Sequence, residues 1–287
     1  MSLDTETSII NKTLQQGSDV TVVTRTAVGE PIGQFYGYKV IGRFEKATDF
    51  YYRNSDGDIV PTAIPTDMHI GENSVWIGDY IFDDTNKDGE IDEEDRAFIG
   101  NPEPDFIYGI GNNFTFKGFD LNIFLTGVYG NEVVNYQRRW LENPRENTNL
   151  LHKALGYAKL ELINPEGPND YRNVQIVSGD PDMPRIGASS ASSTYDFQYS
   201  DKFVEDGSYI RIQTISFGYN LPKGFTTKFG VQNLKLYTNL QNLYTFTKYS
   251  GFDPEIGSTN QDALLTGIDN ARYPSPRIYT FGINLTF

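Results

Sequence analysis

FIYGIGNNFTF (106–116) and FDLNIFLTGVY (119–129) are separated only by Lys117 and Gly118. Two apolar-rich runs with a two-residue joint that includes glycine read as a tight β-hairpin, because glycine supplies the positive φ such a turn needs. In the second run Phe119, Leu121, Ile123, Leu125 and Tyr129 fall on one face. Asp120, Asn122 and Thr126 fall on the other, together with Phe124 and Val128. A side-chain period of two is the strand period.

The pattern repeats outward from this hairpin. In RIYTFGINLTF (277–287), Tyr279, Phe281, Ile283, Leu285 and Phe287 share one face, while Ile278, Thr280, Gly282, Asn284 and Thr286 share the other. SYIRIQTISFGYNL (208–221) and NLKLYTNLQNLYTF (233–246) are two further strands, joined by PKGFTTKFGVQ (222–232). GQFYGYKVIGRF (33–44) is another, and DVTVVTRTAV (19–28) a weaker one. The sequence therefore predicts an all-β chain of about seven antiparallel strands in meander order.

The connections alternate in length. Those after residues 28, 116 and 221 are short, and those at 45–104, 130–206 and 247–276 are long. Compact soluble domains rarely carry several such long connections. Outer-membrane barrels do, with short turns on the periplasmic side and long loops outside. If the last strand runs inward, all three long connections fall outside and all three short ones inside. An arc of seven strands would leave open edges in lipid, where unpaired backbone groups cost several kcal/mol each. On this reading residues 1–287 are one portion of a larger transmembrane β-barrel.

Composition agrees with strands. Aromatic residues make up 14% of the 287, with 27 glycines, and aromatic residues suit sheets. The formal net charge of −14 argues against nucleic acid, whose phosphates need clustered Lys and Arg. The absence of cysteine excludes disulfides and thiolate metal sites. No apolar run is long enough for a membrane helix, which says nothing against barrel strands. The opening MSLDTETSIINKTLQQ (1–16) has neither the basic nor the apolar region of a signal peptide.

The segment DTNKDGEIDEED (84–95) has the layout of a calcium loop. Asp84, Asn86, Asp88, Asp92 and Asp95 would turn side-chain oxygens inward, Glu90 would offer its backbone carbonyl, and Gly89 would permit the sharp turn. Asp95 stands where the helix–loop–helix pattern has glutamate, and the preceding VWIGDYIFD (75–83) is strand-like rather than helical. Calcium here is expected as a structural clip within the external connection 45–104. His69 and His152 lie far apart in the chain, and no catalytic constellation is expected. Gly109 and Gly111 do not complete a nucleotide fingerprint. LLHKALGYAKLEL (150–162) reads as an amphipathic packing helix.

Several stretches resemble, in order, the C-terminal part of SusC/RagA-family TonB-dependent outer-membrane transporters of Bacteroidota. They are VGEPIGQFYGYKVIGRF (28–44), GDYIFDDTNKDGEIDEEDRAFIGNPEPDFIYGIGNNFTFKGFDLNIFLTGVYG (78–130), DGSYIRIQTISFGYNLP (206–222), NLYTFTKYSGFDPE (242–255) and PSPRIYTFGINLTF (274–287). The resemblance implies a 22-stranded barrel whose plug domain and TonB-contacting segment are absent from these residues. It also implies an outer-membrane location, a SusD-like lipoprotein partner and TonB-driven import of oligosaccharides or peptides. The competing reading is a soluble extracellular β-sandwich that binds glycans and is clipped by calcium. On the barrel reading, Tyr279, Phe281, Ile283 and Leu285 face outward, and Thr280, Asn284 and Thr286 face the lumen.

Overall fold

The computed structural model describes residues 9–16, 19–145, 149–187, 195–259 and 261–287. It divides into two compact bodies. The first comprises residues 1–100, 134–204 and 258–266, and the second residues 101–133, 205–257 and 267–287.

The second body is built on a five-stranded antiparallel sheet in strict chain order. Its strands are β1 (Phe106–Phe116), β2 (Phe119–Tyr129), β3 (Tyr209–Asn220), β4 (Asn233–Thr247) and β5 (Ile278–Thr286). The β1–β2 turn has the predicted form: Lys117 and Gly118 both have positive φ, 46° and 88°. That pair matches the twist of a two-residue hairpin. β1 and β2 pair without a slip from Phe116↔Phe119 to Phe106↔Tyr129.

One bulge breaks the ladder. β2 pairs with β3 up to Phe124↔Thr214 and resumes at Leu125↔Ile212, so Gln213 is extra. On β4 the pairing passes from Gln241 to Tyr244 across the same point, and Asn242 there has a φ of 52°. An extra residue reverses the faces of everything beyond it on its own strand.

The first body has a soluble-type core in which Phe44, Phe50, Val75, Ile77 and Phe82 are fully buried. Phe44 stacks on Phe50 at 4.3 Å, and Phe82 meets Tyr195 edge-on at 5.0 Å. The core draws on two of the connections expected to be loops, 45–104 and 130–206. These connections carry small strand pairs of their own.

Here the seven-strand meander needs correction. Asp19–Thr26 lies in a separate four-stranded sheet, between Ile10–Gln16 and Gln34–Gly37, with Ala97–Gly100 beyond. The predicted strand 33–44 is split. At its middle Tyr38 is buried and exchanges backbone hydrogen bonds with Tyr199 and Asp201. The chain then leaves one sheet, and Val40–Arg43 pairs with Tyr80–Phe82 instead. The helix expected over 150–162 is also corrected. A short 3₁₀ turn, His152–Gly156, leads into strand Lys159–Leu162, which pairs with Val174–Ser178. Cross-strand pairing has overridden a local pattern that fits either period.

Candidate functional site

Tracing the register across the five strands assigns every side chain to a face. One face carries Phe114 and Phe116 of β1, Leu121 and Ile123 of β2, and Ile215 and Phe217 of β3. Leu236 and Leu240 of β4 and Tyr279, Phe281, Ile283 and Leu285 of β5 continue it. The opposite face carries Asn113, Asp120, Asn122, Ser216, Asn220, Lys235, Asn239, Thr280 and Asn284. The polar face is knit together: Ser216 Oγ donates to Asn239 Oδ1 at 2.8 Å, and Lys235 pairs with Asp120 at 2.9 Å. Asn122 also donates to Asn113. The faces expected for β5 are the faces observed.

The apolar face stays open. Phe281 is 79% and Ile283 66% exposed, and among the described residues no second sheet covers them. A sandwich would bury this surface between two sheets.

Aromatic rings gather at both ends of the apolar face. At the turn end Phe119 stacks on Tyr219 at 4.2 Å and lies 5.8 Å from Phe217. At the other end Phe106 stacks on Tyr129 at 5.1 Å, and Tyr244 meets Phe246 at 4.7 Å. From Phe119 to Tyr129 is roughly 33 Å along the strand. A tilt of about 40° lowers this to roughly 25 Å, the height of the apolar band on a transmembrane barrel. Aromatic girdles at both interfaces are the second mark of such a wall.

The polar face bears a cluster that sequence reading missed. Arg211 is 3% exposed. Its Nε donates to Thr245 Oγ1 at 2.9 Å, and its guanidinium pairs with Asp253 and Glu255. It reaches this face because of the bulge at Gln213. The adjacent polar pair Gln213-Thr214, interrupting the alternation of SYIRIQTISF, was the available signal.

In the first body, residues 84–95 form a tight turn held by their own amides. Asp84 accepts from Lys87 N at 2.7 Å and Gly89 N at 3.0 Å. Asn86 accepts from Asp88 N, Asp88 from Glu90 N, and Asp92 from Glu94 N. Asp95 is fully buried, accepting from Thr85 N at 2.8 Å and Asp92 N at 2.9 Å. Gly89 takes the expected positive φ, 93°, while Glu90 also receives the Thr66 hydroxyl. The preceding segment is a strand, Tyr80–Phe82, and only a 3₁₀ turn, Glu93–Asp95, follows. Among the described residues no three Asp, Glu, His or Cys side chains converge in a metal-holding group. The backbone therefore follows the expected turn, but its carboxylates are directed at amides.

A second buried ionic group lies in the same body. Arg185 grips Asp79 through two bonds, of 2.6 and 3.0 Å, and donates to the carbonyls of Glu72 and Ser74. Asp196 accepts from Tyr80 N, and its Oδ2 has no hydrogen-bond partner. Burial pushes the Asp79 carboxyl up to about 6 against the pull of Arg185. Burial, then the Asp79 charge, push Asp196 well above the usual carboxylate range.

No protein-family model matches the chain. Among curated proteins it is 33% identical over 263 residues to TonB-dependent receptor P3 of Formosa agariphila, covering 90% of this chain and 22% of that one. It is also 27% identical over 220 residues to TonB-dependent receptor SusC of Bacteroides thetaiotaomicron, covering 72% of this chain and 17% of that one. The chain belongs to the SusC/RagA-type TonB-dependent receptors. It spans less than a quarter of the length of these two receptors. Solved structures share the fold. The RagAB peptide importer in its open-open state aligns over 100% of this chain and 25% of that chain, with a TM-score of 0.58 at 17% identity. A structure of the RagAB peptide transporter aligns over 97% of this chain and 28% of that one, with the same TM-score. Against SusC/RagA-type receptors, a sheet with one apolar and one polar face is a stretch of barrel wall.

Proposed function

We propose that this chain supplies part of the wall of an outer-membrane importer that takes up oligosaccharides or peptides, driven by TonB and partnered by a SusD-like lipoprotein. The two-faced meander with aromatic rings at both ends carries the reading. Such a sheet is stable only with lipid on one side and a polar lumen on the other. The connections 130–208 and 248–277 leave the sheet at the end opposite the Lys117–Gly118 turn. They are the external loops in this reading. The relatives support the class of activity, since RagAB is a peptide importer.

The test is site-directed spin labelling of the full-length receptor in bilayers. A label at Ile123→Cys should collide with dissolved oxygen and be shielded from a water-soluble nickel complex. A label at Asn122→Cys should show the reverse. Equal exposure of both to the nickel complex would remove the wall assignment.

Calcium at residues 84–95 belongs to the same proposal. Asp84, Asn86, Asp88, Asp92 and Asp95 would give side-chain oxygens, and Glu90 its carbonyl. An oxygen that accepts one amide keeps a second lone pair for a cation, and the acidic residues crowded here repel one another without one. The ion would brace the loop and take no part in chemistry. Calorimetry should show calcium binding to the receptor and its loss in Asp88→Ala. Equal heats from both proteins would end this part of the proposal.

A further inference from the structure

The chain as a whole is acidic, with a formal net charge of −14, but one end of the five-stranded sheet is basic. Across residues 106–129, 209–247 and 278–286 the sole acid is Asp120. Lys117, Lys223, Lys228 and Lys235 all lie at the end of the sheet that carries the Lys117–Gly118 turn. Lys235 is paired with Asp120. Among the described residues the other three lysines have no carboxylate partner.

The β1–β2 joint shows that this end can be closed by two residues. The β3–β4 joint, PKGFTTKFGVQ (222–232), winds instead into two short helical turns, Lys223–Thr226 and Thr227–Phe229. Pro222 O receives Phe225 N at 2.9 Å, Lys223 O receives the Thr227 hydroxyl at 2.9 Å, and Gly230 ends the winding with a φ of 72°. Thr226 is turned inward and buried, while Lys223 and Lys228 are exposed. Phe225 and Phe229 also stand outside, 52% and 70% exposed, with ring centres 5.4 Å apart.

Two adjoining phenyl rings left this open mark a contact surface. Their surroundings say what the contact is. The aromatic group of Phe119, Phe217 and Tyr219 lies at the same end of the sheet, so the rings extend the apolar wall rather than start a separate patch. The neighbouring turn repeats the pairing of ring and cation: Lys117 Nζ lies 5.1 Å from the centre of the exposed Phe116 ring. Phenylalanine beside lysine, with no acid in the segment, is the composition of elements that lie in a membrane interface. Lysine stems run along apolar surface and carry their ammonium groups out to the headgroups. In the importer reading this is the periplasmic end, whose leaflet is phospholipid, and unpaired lysines there complement anionic phosphates.

We propose that residues 222–232 anchor the wall in the periplasmic leaflet, with Phe225 and Phe229 among the acyl chains and Lys223 and Lys228 on the phosphates of anionic phospholipid. The assignment rests on the wall reading and adds a lipid-binding site to it. The test uses the full-length receptor, free of other cysteines, in vesicles of equal parts phosphatidylglycerol and phosphatidylcholine, with the chains of one or the other lipid brominated. A bimane label is placed at Gly224→Cys, where an added Cβ meets no atom within 4 Å, so both rings and both lysines stay. Brominated chains quench the label only on contact. Both lipids should quench it, with phosphatidylglycerol favoured about threefold or more. In a Lys223→Gln/Lys228→Gln variant that preference should fall to about one. In a Phe225→Ser/Phe229→Ser variant quenching by either lipid should drop by about half or more. Heat-modifiable migration on gels shows that each variant keeps its barrel. The proposal is overturned if the Gly224→Cys label is not quenched, as when the turn stands in water or under a periplasmic protein. It is equally overturned if the two lipids quench the parent alike, if the preference survives loss of the lysines, or if quenching survives loss of the rings. A label at Ile123→Cys should be quenched without preference. Quenching there and none at Gly224→Cys removes the anchor alone, whereas none at either position removes the wall with it.

Discussion

The two bodies place the same residue types in opposite ways. In the first, Phe44, Phe50, Ile77 and Phe82 are buried together in a core, as water demands. In the second, Phe119, Tyr129, Phe281 and Ile283 lie on an open face, while across the other Asn122 bonds to Asn113, Ser216 to Asn239 and Lys235 to Asp120. Composition does not separate the two bodies, since both are rich in Phe and Tyr. What differs is the period. A residue flanked by tertiary partners from distant segments is buried among them, whereas strict alternation over whole strands requires two different media.

The largest expected effect breaks the first body from inside. Arg185→Met leaves Asp79 buried without its partner, and removing one member of a buried ion pair costs about 3–5 kcal/mol. Limited proteolysis of the receptor should show faster cleavage within residues 45–100, with the barrel strands unaffected. The next effect tests the second body. Leu125→Lys puts a charge near the middle of the apolar band and should cost about 2–4 kcal/mol. Thr126→Lys, on the polar face, should fold like the parent. Urea titration of barrel migration on gels reads both. Similar costs at the two positions would undo the contrast between the faces.

Smaller effects sharpen the comparison. Gly118→Ala forces a Cβ into a positive-φ turn and toward Asn220 O, costing about 1–2 kcal/mol. The same titration should show this. A pH effect between about 5 and 7 should belong to the first body. Asp79 and Asp196 both have folded pKa values raised above the unfolded ones, so their neutral forms favour the folded state. The Asp79 contribution is whole below about pH 4 and is lost as pH rises through about 6. Between pH 5 and 7 the Asp79 part amounts to about 1 kcal/mol. Protease resistance of residues 45–100 should fall over that range, and Asp79→Asn should flatten the slope.

Legibility followed the same division. The hairpin 106–129 and the strands at 209–220, 233–247 and 278–286 were readable because each alternates along most of its length and needs no distant partner to define it. Residues 10–16 were missed, since INKTLQQ offers no apolar face. The break at Tyr38 was hidden because its cause, pairing with Tyr199 to Asp201, lies far along the chain. Arg185 with Asp79, separated by 106 residues, leaves no local trace. The acidic turn was legible as a backbone path through the position of Gly89. Its carboxylates were not, because their direction depends on which amides the folded turn presents. Arg211 sits between them: its switch of face was written in Gln213-Thr214, two polar residues side by side.

That single extra residue also bears on how this kind of wall can change over time. Above Gln213, β3 is read in the opposite frame from below it. Deleting one residue between Arg211 and Ile215 would act on side chains as a frameshift acts on codons, turning a guanidinium out among acyl chains and Ile210 and Ile212 inward. Substitutions can accumulate anywhere along such a strand, but length changes can be absorbed only two at a time or in the connections. Variation in length should therefore collect in the segments that join the strands, leaving the strands themselves fixed in register.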